Sequence, residues 1–158
     1  MEIENLVVTL KVVNGEYIVK ESKSEEKNLH IGHIENVLNY YGKKGWILKQ
    51  INSDETELNF YRNKAHWLER LIIGSTEILH RRRNIYEKGG KYEVGADTPF
   101  GDTSSLECLY LDSIQEVINY LESKYGLTFI CQSPEIKIGD ETLIIMYFYK
   151  IDKFENCV

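Results

Sequence analysis

The chain has 158 residues, 42% of them hydrophobic and 28% charged, and a formal net charge of −6. That composition belongs to a folded domain and excludes extended disorder, a collagen-like repeat and a bare coiled coil; no run of about 18 apolar residues is present to span a membrane as a helix. The acidity argues against general nucleic-acid binding, which rests on cationic contacts to phosphate.

The chain opens Met1-Glu2-Ile3-Glu4-Asn5. A secretory signal needs a basic start and then an apolar core, so a cytoplasmic location is expected. Leu6–Val13 is rich in β-branched residues, Asn14-Gly15 follows, and Glu16–Lys20 returns. Asn-Gly accepts the positive φ angles of a type I′ turn, which predicts a hairpin. Glu21–Lys27 is a charged connection. Ile31, Ile34, Val37, Leu38 and Tyr41 then recur at helical spacing, with Asn28 as the expected N-cap and Gly45 as the expected stop. Trp46–Ile51 and Thr56–Tyr61 read as strands about a turn at 52–55. Residues 63–73 fit a short helix ended by Gly74 or, at Leu71-Ile72-Ile73, a strand.

Thr76–Tyr86 predicts a strand that returns through Tyr92-Glu93-Val94 across Lys88-Gly89-Gly90-Lys91. Gly95–Ser105 is a loop and Leu106–Leu111 a short strand. Asp112, with Gln115 three positions on, has the pattern of a capping box. Ile114, Val117, Ile118, Leu121 and Tyr125 form a second helical stripe, stopped by Gly126. Leu127–Cys131 is a strand, and Ile136–Ile138 with Thr142–Ile151 makes a hairpin across Gly139-Asp140. Leu143–Tyr149 does not alternate, which predicts a central strand covered on both faces. The expected class is α+β: antiparallel sheet packed by two main helices, in one compact domain spanning 1–158.

Two segments share a pattern. Ile34-Glu35-Asn36-Val37-Leu38-Asn39-Tyr40-Tyr41 leads to Gly45-Trp46-Ile47-Leu48, and Ile114-Gln115-Glu116-Val117-Ile118-Asn119-Tyr120-Leu121 leads to Gly126-Leu127-Thr128-Phe129. The pattern reads either as a duplicated β-α-β-β unit, with halves 1–63 and 75–158, or as convergence on a common helix-Gly-strand junction. Gly42-Lys43-Lys44-Gly45-Trp46 within the first copy resembles a small bacterial family of unknown function, whose members show a helix, a Gly-x-x-Gly-Trp turn and an alternating strand. The resemblance covers residues 33–61, about a fifth of the chain. It implies a small antiparallel sheet backed by a helix and carries over no catalytic residue.

Candidate chemistry is sparse. Residues 1–79 balance at −2 and 80–158 at −4, but the window from Arg81 to Lys91 is +4. Arg81, Arg82, Arg83, Lys88 and Lys91, with Gly89-Gly90 between the lysines, are a candidate anion site, because guanidinium forks and open backbone amides suit phosphate or carboxylate. Strand alternation lets Arg81 and Arg83 share a side while Arg82 takes the other. Solvated charges that block edge pairing explain the same run. Tyr86 and Tyr92 flank the glycine turn, and Tyr with Arg is the pairing enriched at binding hot spots. Among 11 tyrosines, Tyr40 and Tyr120 fall beside the apolar stripes.

His30 and His33 with Glu35 lack the further ligands a metal needs. Asp97, Asp102 and Asp112 are explained by turns and capping. Cys108, Cys131 and Cys157 are too few and too scattered for a disulfide framework. No nucleophile elbow, Walker loop or dinucleotide fingerprint occurs. No metal or cofactor is expected, and no enzymatic activity. The expectation is a non-enzymatic binding protein that occupies a larger protein, in the manner of a phage or mobile-element inhibitor of a host-defence nuclease. Its contacts are expected from Arg81, Arg83, Tyr86 and Tyr92, with a basic nucleic-acid enzyme as partner class; membrane binding is not expected, and a homo-oligomer stays open. The alternative is a protein that sequesters a small anion such as a nucleotide.

Overall fold

The structure, a computed structural model, describes residues 2–63, 76–94 and 109–153. The expectations for 64–73, for the 95–105 loop and for residues 106–108 lie outside these. The chain divides into two compact units, Met1–His80 with Lys150–Val158, and Arg81–Tyr149. The division falls within two strands, β6 (Thr76–Lys88) and β11 (Glu141–Lys153), rather than between residues 63 and 75.

In the first unit β1 (Ile3–Val13) and β2 (Glu16–Glu21) form the expected hairpin. Asn14 and Gly15 have φ of 53° and 77°, the left-handed pair that a two-residue type I′ turn requires. A two-residue strand, β3 (Lys27–Asn28), pairs with β2 where a plain connection was expected. α1 (Ile34–Gly42) follows, then β4 (Ile47–Ile51) and β5 (Glu57–Asn63). The five strands lie in the order β3-β2-β1-β5-β4, with β1–β2, β1–β5, β2–β3 and β4–β5 antiparallel. Val8, Leu10, Val19, Leu48, Leu58 and Phe60 are buried, as are Ile34, Val37, Leu38 and Tyr41 of α1. The predicted stripe is therefore the packed side of the helix.

Asn28 does not cap α1. His33 does: its Nδ1 accepts from the Glu35 amide at 3.1 Å. Asn28 Oδ1 instead accepts from the His30 amide at 2.8 Å, a local turn that holds His30 at a φ of 55°. The helical run ends at Gly42, and Gly45 closes it as expected: the Gly45 amide donates to the Gly42 carbonyl at 3.0 Å and the Trp46 amide to the Tyr41 carbonyl at 3.1 Å. A Cβ on Gly42 would lie 2.0 Å from the Ile78 carbonyl oxygen, so only glycine lets the end of α1 meet β6 this closely. Gly45, at a φ of 87°, turns the chain into β4. The Gly-x-x-Gly-Trp segment is thus accounted for by packing: Trp46 is buried under the Arg62 guanidinium, 4.0 Å from the ring centre.

The second unit has a sheet and a helix of its own. β6 and β7 (Lys91–Val94) form a hairpin through Gly89-Gly90, then come β8 (Leu109–Leu111), α2 (Ile114–Tyr125), β9 (Thr128–Gln132), β10 (Ile136–Ile138) and β11. The order is β10-β11-β6-β7-β8, with β9 also pairing β11. Val117, Ile118 and Leu121 of α2 pack with Ile85, Val94, Leu127, Ile144, Met146 and Phe148. Ile144 to Phe148 are buried without a break, so β11 is the central strand its lack of alternation predicted.

The α2 cap shifts by one residue. Ser113, in extended conformation, accepts from the Glu116 amide at 3.2 Å, and Glu116 reaches back to the Asp112 amide at 2.9 Å. Ser113 and Glu116 play the parts expected of Asp112 and Gln115. Gly126 ends α2 at a φ of 69°. The class is α+β, rich in strand, and among the described residues no helix is long and apolar enough to cross a membrane.

Candidate functional site

The basic window does not form an open cationic patch. On β6 the buried side chains are even-numbered at Ile78 and His80 and odd-numbered at Arg83 and Ile85. The change of side falls at Arg81-Arg82, both half-buried; Arg82 Nη1 donates to Asn84 Oδ1 at 3.1 Å. Arg83 is 1% exposed, which removes it as a contact residue. Lys88 lies 3.3 Å from the Asp140 carboxylate, and Lys91 is hydrogen-bonded to Asp112. Tyr86 is half-buried opposite Glu93, and Tyr92 packs against the second core. Alanine at Arg83 and Tyr92 would therefore disturb packing before it tested any partner.

The remaining candidates also have local tasks. His33 caps α1 and His30 Nδ1 sits 3.0 Å from Glu16. Asp112 pairs with Lys91, and Cys131 is half-buried, while Asp97, Asp102, Cys108 and Cys157 lie outside the described residues. Among the described residues no group of three His, Cys, Asp or Glu is placed to hold a metal ion. Tyr40 Oη accepts from Lys27 Nζ at 2.7 Å and Lys44 Nζ at 2.9 Å, and these ammonium groups pull its phenol below the usual range. Tyr120 Oη accepts from Lys124 Nζ at 2.9 Å, the same i to i+4 pairing.

The feature that reading the residues missed is one face of the first sheet. Ile3, Asn5, Val7, Thr9, Lys11 and Val13 alternate with the buried positions of β1 and are all exposed, Ile3 at 51%, Val7 at 39% and Val13 at 43%. Register extends the face sideways: Asn5 lies opposite Tyr61, Val7 opposite Asn59, Lys11 opposite Ile18, and Asn59 opposite Gln50 of β4. Both parities of β1 carry apolar residues, since Leu6, Val8, Leu10 and Val12 interleave with Ile3, Val7 and Val13. Alternation alone did not say which set was covered, and the second set is covered only at its middle: Val8 and Leu10 are buried, whereas Val12 is 56% exposed.

A β-bulge shapes the edge of this face. The β4–β5 register shifts between Leu48 and Gln50, which leaves Lys49 as the extra residue. Beside it a hollow of about 220 Å³ is lined by Asn5, Val7, Lys49, Gln50 and Asn59, with Leu6 and Phe60. The bulge is held by His80. Its Nε2 accepts from the Leu48 amide at 3.1 Å, so a backbone donor of edge strand β4 is satisfied by an imidazole. The His80 amide in turn donates to Asn39 Oδ1 at 2.6 Å, and its ring stands edge-on to Phe60.

No protein-family model, no curated protein and no solved structure matches the chain.

Proposed function

We propose that this chain is a non-enzymatic binding protein that occupies a larger, basic protein through the exposed face of its first sheet. The observation that carries the reading is the apolar series Ile3, Val7 and Val13 standing in solvent on one face, next to the half-buried Ile18. Exposed apolar side chains interleaved with Asn5, Thr9 and Lys11 make the mixed apolar and polar surface typical of a protein interface. The net charge of −6 favours encounter with a basic partner. Nucleic-acid enzymes present such a surface to phosphate. The specific form of the reading is an inhibitor of a host-defence nuclease carried by a phage or mobile element.

Duplication of a β-hairpin, short strand, helix and returning strands belongs to the same reading. In each unit the last strand (β5, β11) lies beside the first (β1, β6), the hairpin partner (β2, β7) is on the other side, and the short strand (β3, β8) follows it. The strand or strands after the helix (β4; β10, with β9 also on β11) lie beyond the last. His33 and Ser113 cap the two helices at matching places, and Tyr40–Lys44 matches Tyr120–Lys124.

The test is affinity capture from the source cell with three proteins: the wild type, Ile3→Asp with Val7→Asp, and Arg81→Ala with Lys91→Ala. The expected partner is a basic nucleic-acid enzyme, held by the wild type and the Arg81/Lys91 variant and lost by the Ile3/Val7 variant. Retention by the Ile3/Val7 variant with its circular dichroism unchanged, or capture of an acidic partner, overturns the reading.

A further inference from the structure

We infer that the hollow at the Lys49 bulge binds a nucleoside monophosphate, with the base among the carboxamides of Asn5, Gln50 and Asn59 and the phosphate on Lys49. Val7, Asn59 and Gln50 occupy one row across β1, β5 and β4, and Asn5 begins the next row beside Tyr61. Three carboxamides therefore converge on one small volume of the open face. Among the described residues none of the three side chains makes a hydrogen bond within the protein, and Lys49 has no carboxylate partner. By contrast, Lys88 and Lys91 of the basic window are paired with Asp140 and Asp112.

A carboxamide offers one acceptor and one donor pair in a plane, which matches the mixed donor and acceptor edge of a nucleobase. Val7 supplies apolar surface beside it, while the Phe60 ring lies on the core side against Tyr41 and His80. The hollow, at about 220 Å³, is smaller than the roughly 300 Å³ at which pockets for drug-sized ligands begin. It has room for a base and leaves the sugar and phosphate outside. Lys49, displaced by the bulge and exposed, is the cation at that rim. Bulges recur next to functional sites because they re-aim one side chain out of the pleat. A phosphate without a base would have one ammonium and nothing else, so the base is needed for retention.

The hollow shares Val7 with the proposed partner face, but Lys49, Gln50 and Asn59 lie outside the Ile3, Val7 and Val13 series, so variants at those three positions let the two readings fail separately. The experiment is calorimetric titration and thermal melting of the whole chain with AMP, GMP, CMP and UMP, the matching nucleosides, and inorganic phosphate. At least one nucleotide is expected to bind one-to-one and raise the melting temperature, as a native-state ligand must. Gln50→Ala, at the exposed edge, and Asn59→Leu should each abolish that response. Lys49→Ala should weaken the nucleotide by about tenfold, the scale of one charge-assisted contact, and leave its nucleoside unchanged. A flat response to all four nucleotides at millimolar concentration overturns the inference. So does binding that survives Gln50→Ala, or inorganic phosphate binding as tightly as the nucleotide.

Discussion

His80 shows how one buried polar side chain positions the surface above it. Because Nε2 accepts from the Leu48 amide, the ring proton sits on Nδ1, which is buried without a hydrogen-bond partner. Burial pushes the imidazolium down to about 3, and the Leu38 carbonyl opposes that shift only in part. In the unfolded chain the same group titrates near 6.5. Between these values the unfolded state holds a proton that the folded state does not. His80 therefore costs nothing above about pH 6.5 and destabilises progressively as pH falls toward 3. One proton corresponds to about 1.4 kcal/mol per pH unit, so roughly 2 kcal/mol should be lost between pH 6.5 and 5. Urea unfolding at several pH values measures this. His80→Gln, whose amide oxygen can accept from Leu48 in place of Nε2, should fold and lose most of that slope; an unchanged slope in the variant would assign the acid sensitivity elsewhere. In the sequence His80 is a lone histidine before three arginines, and only its i, i+2 spacing from Ile78 hinted that it points inward.

Among the elements, the turns were the most legible. Asn14-Gly15 and Gly89-Gly90 adopt positive φ at both positions, a demand few residue pairs meet. Helix starts were less so, because several side-chain oxygens or nitrogens stand next to each one and backbone geometry selects among them. Ser113 is extended, with φ −151° and ψ 158°, and its hydroxyl reaches the Glu116 amide. Ser113→Ala should cost about 1 kcal/mol of stability. Gln115→Ala, which removes only an exposed hydrogen bond to Asn119, should stay within about 0.5 kcal/mol. Denaturant midpoints for the two variants distinguish the observed cap from the pattern that begins at Asp112. β3 is not legible in the sequence because two residues carry no period. The run Leu143–Tyr149 was readable because burial on both sides removes alternation, and β11 pairs with β10, β9 and β6.

For the whole molecule, class and strand content followed from local pattern, while the candidate site did not. The basic window looks open in the sequence because its neutralising partners, Asp112 and Asp140, are distant along the chain. Arg83 looks solvated because nothing in a run of three arginines marks which one turns inward. The exposed sheet face is a property of assembly: Val8 and Leu10 are buried on one side of β1, and the opposite side is left with Ile3, Val7 and Val13. The central claim is that this second side meets a protein partner. A photoreactive benzophenone side chain placed at Val7, and separately at Lys91, tests it most directly when the captured complex is irradiated. The account predicts a cross-link to a basic partner from position 7 and none from position 91. A cross-link from position 91 alone, or from position 7 only to a second copy of this chain, would contradict it.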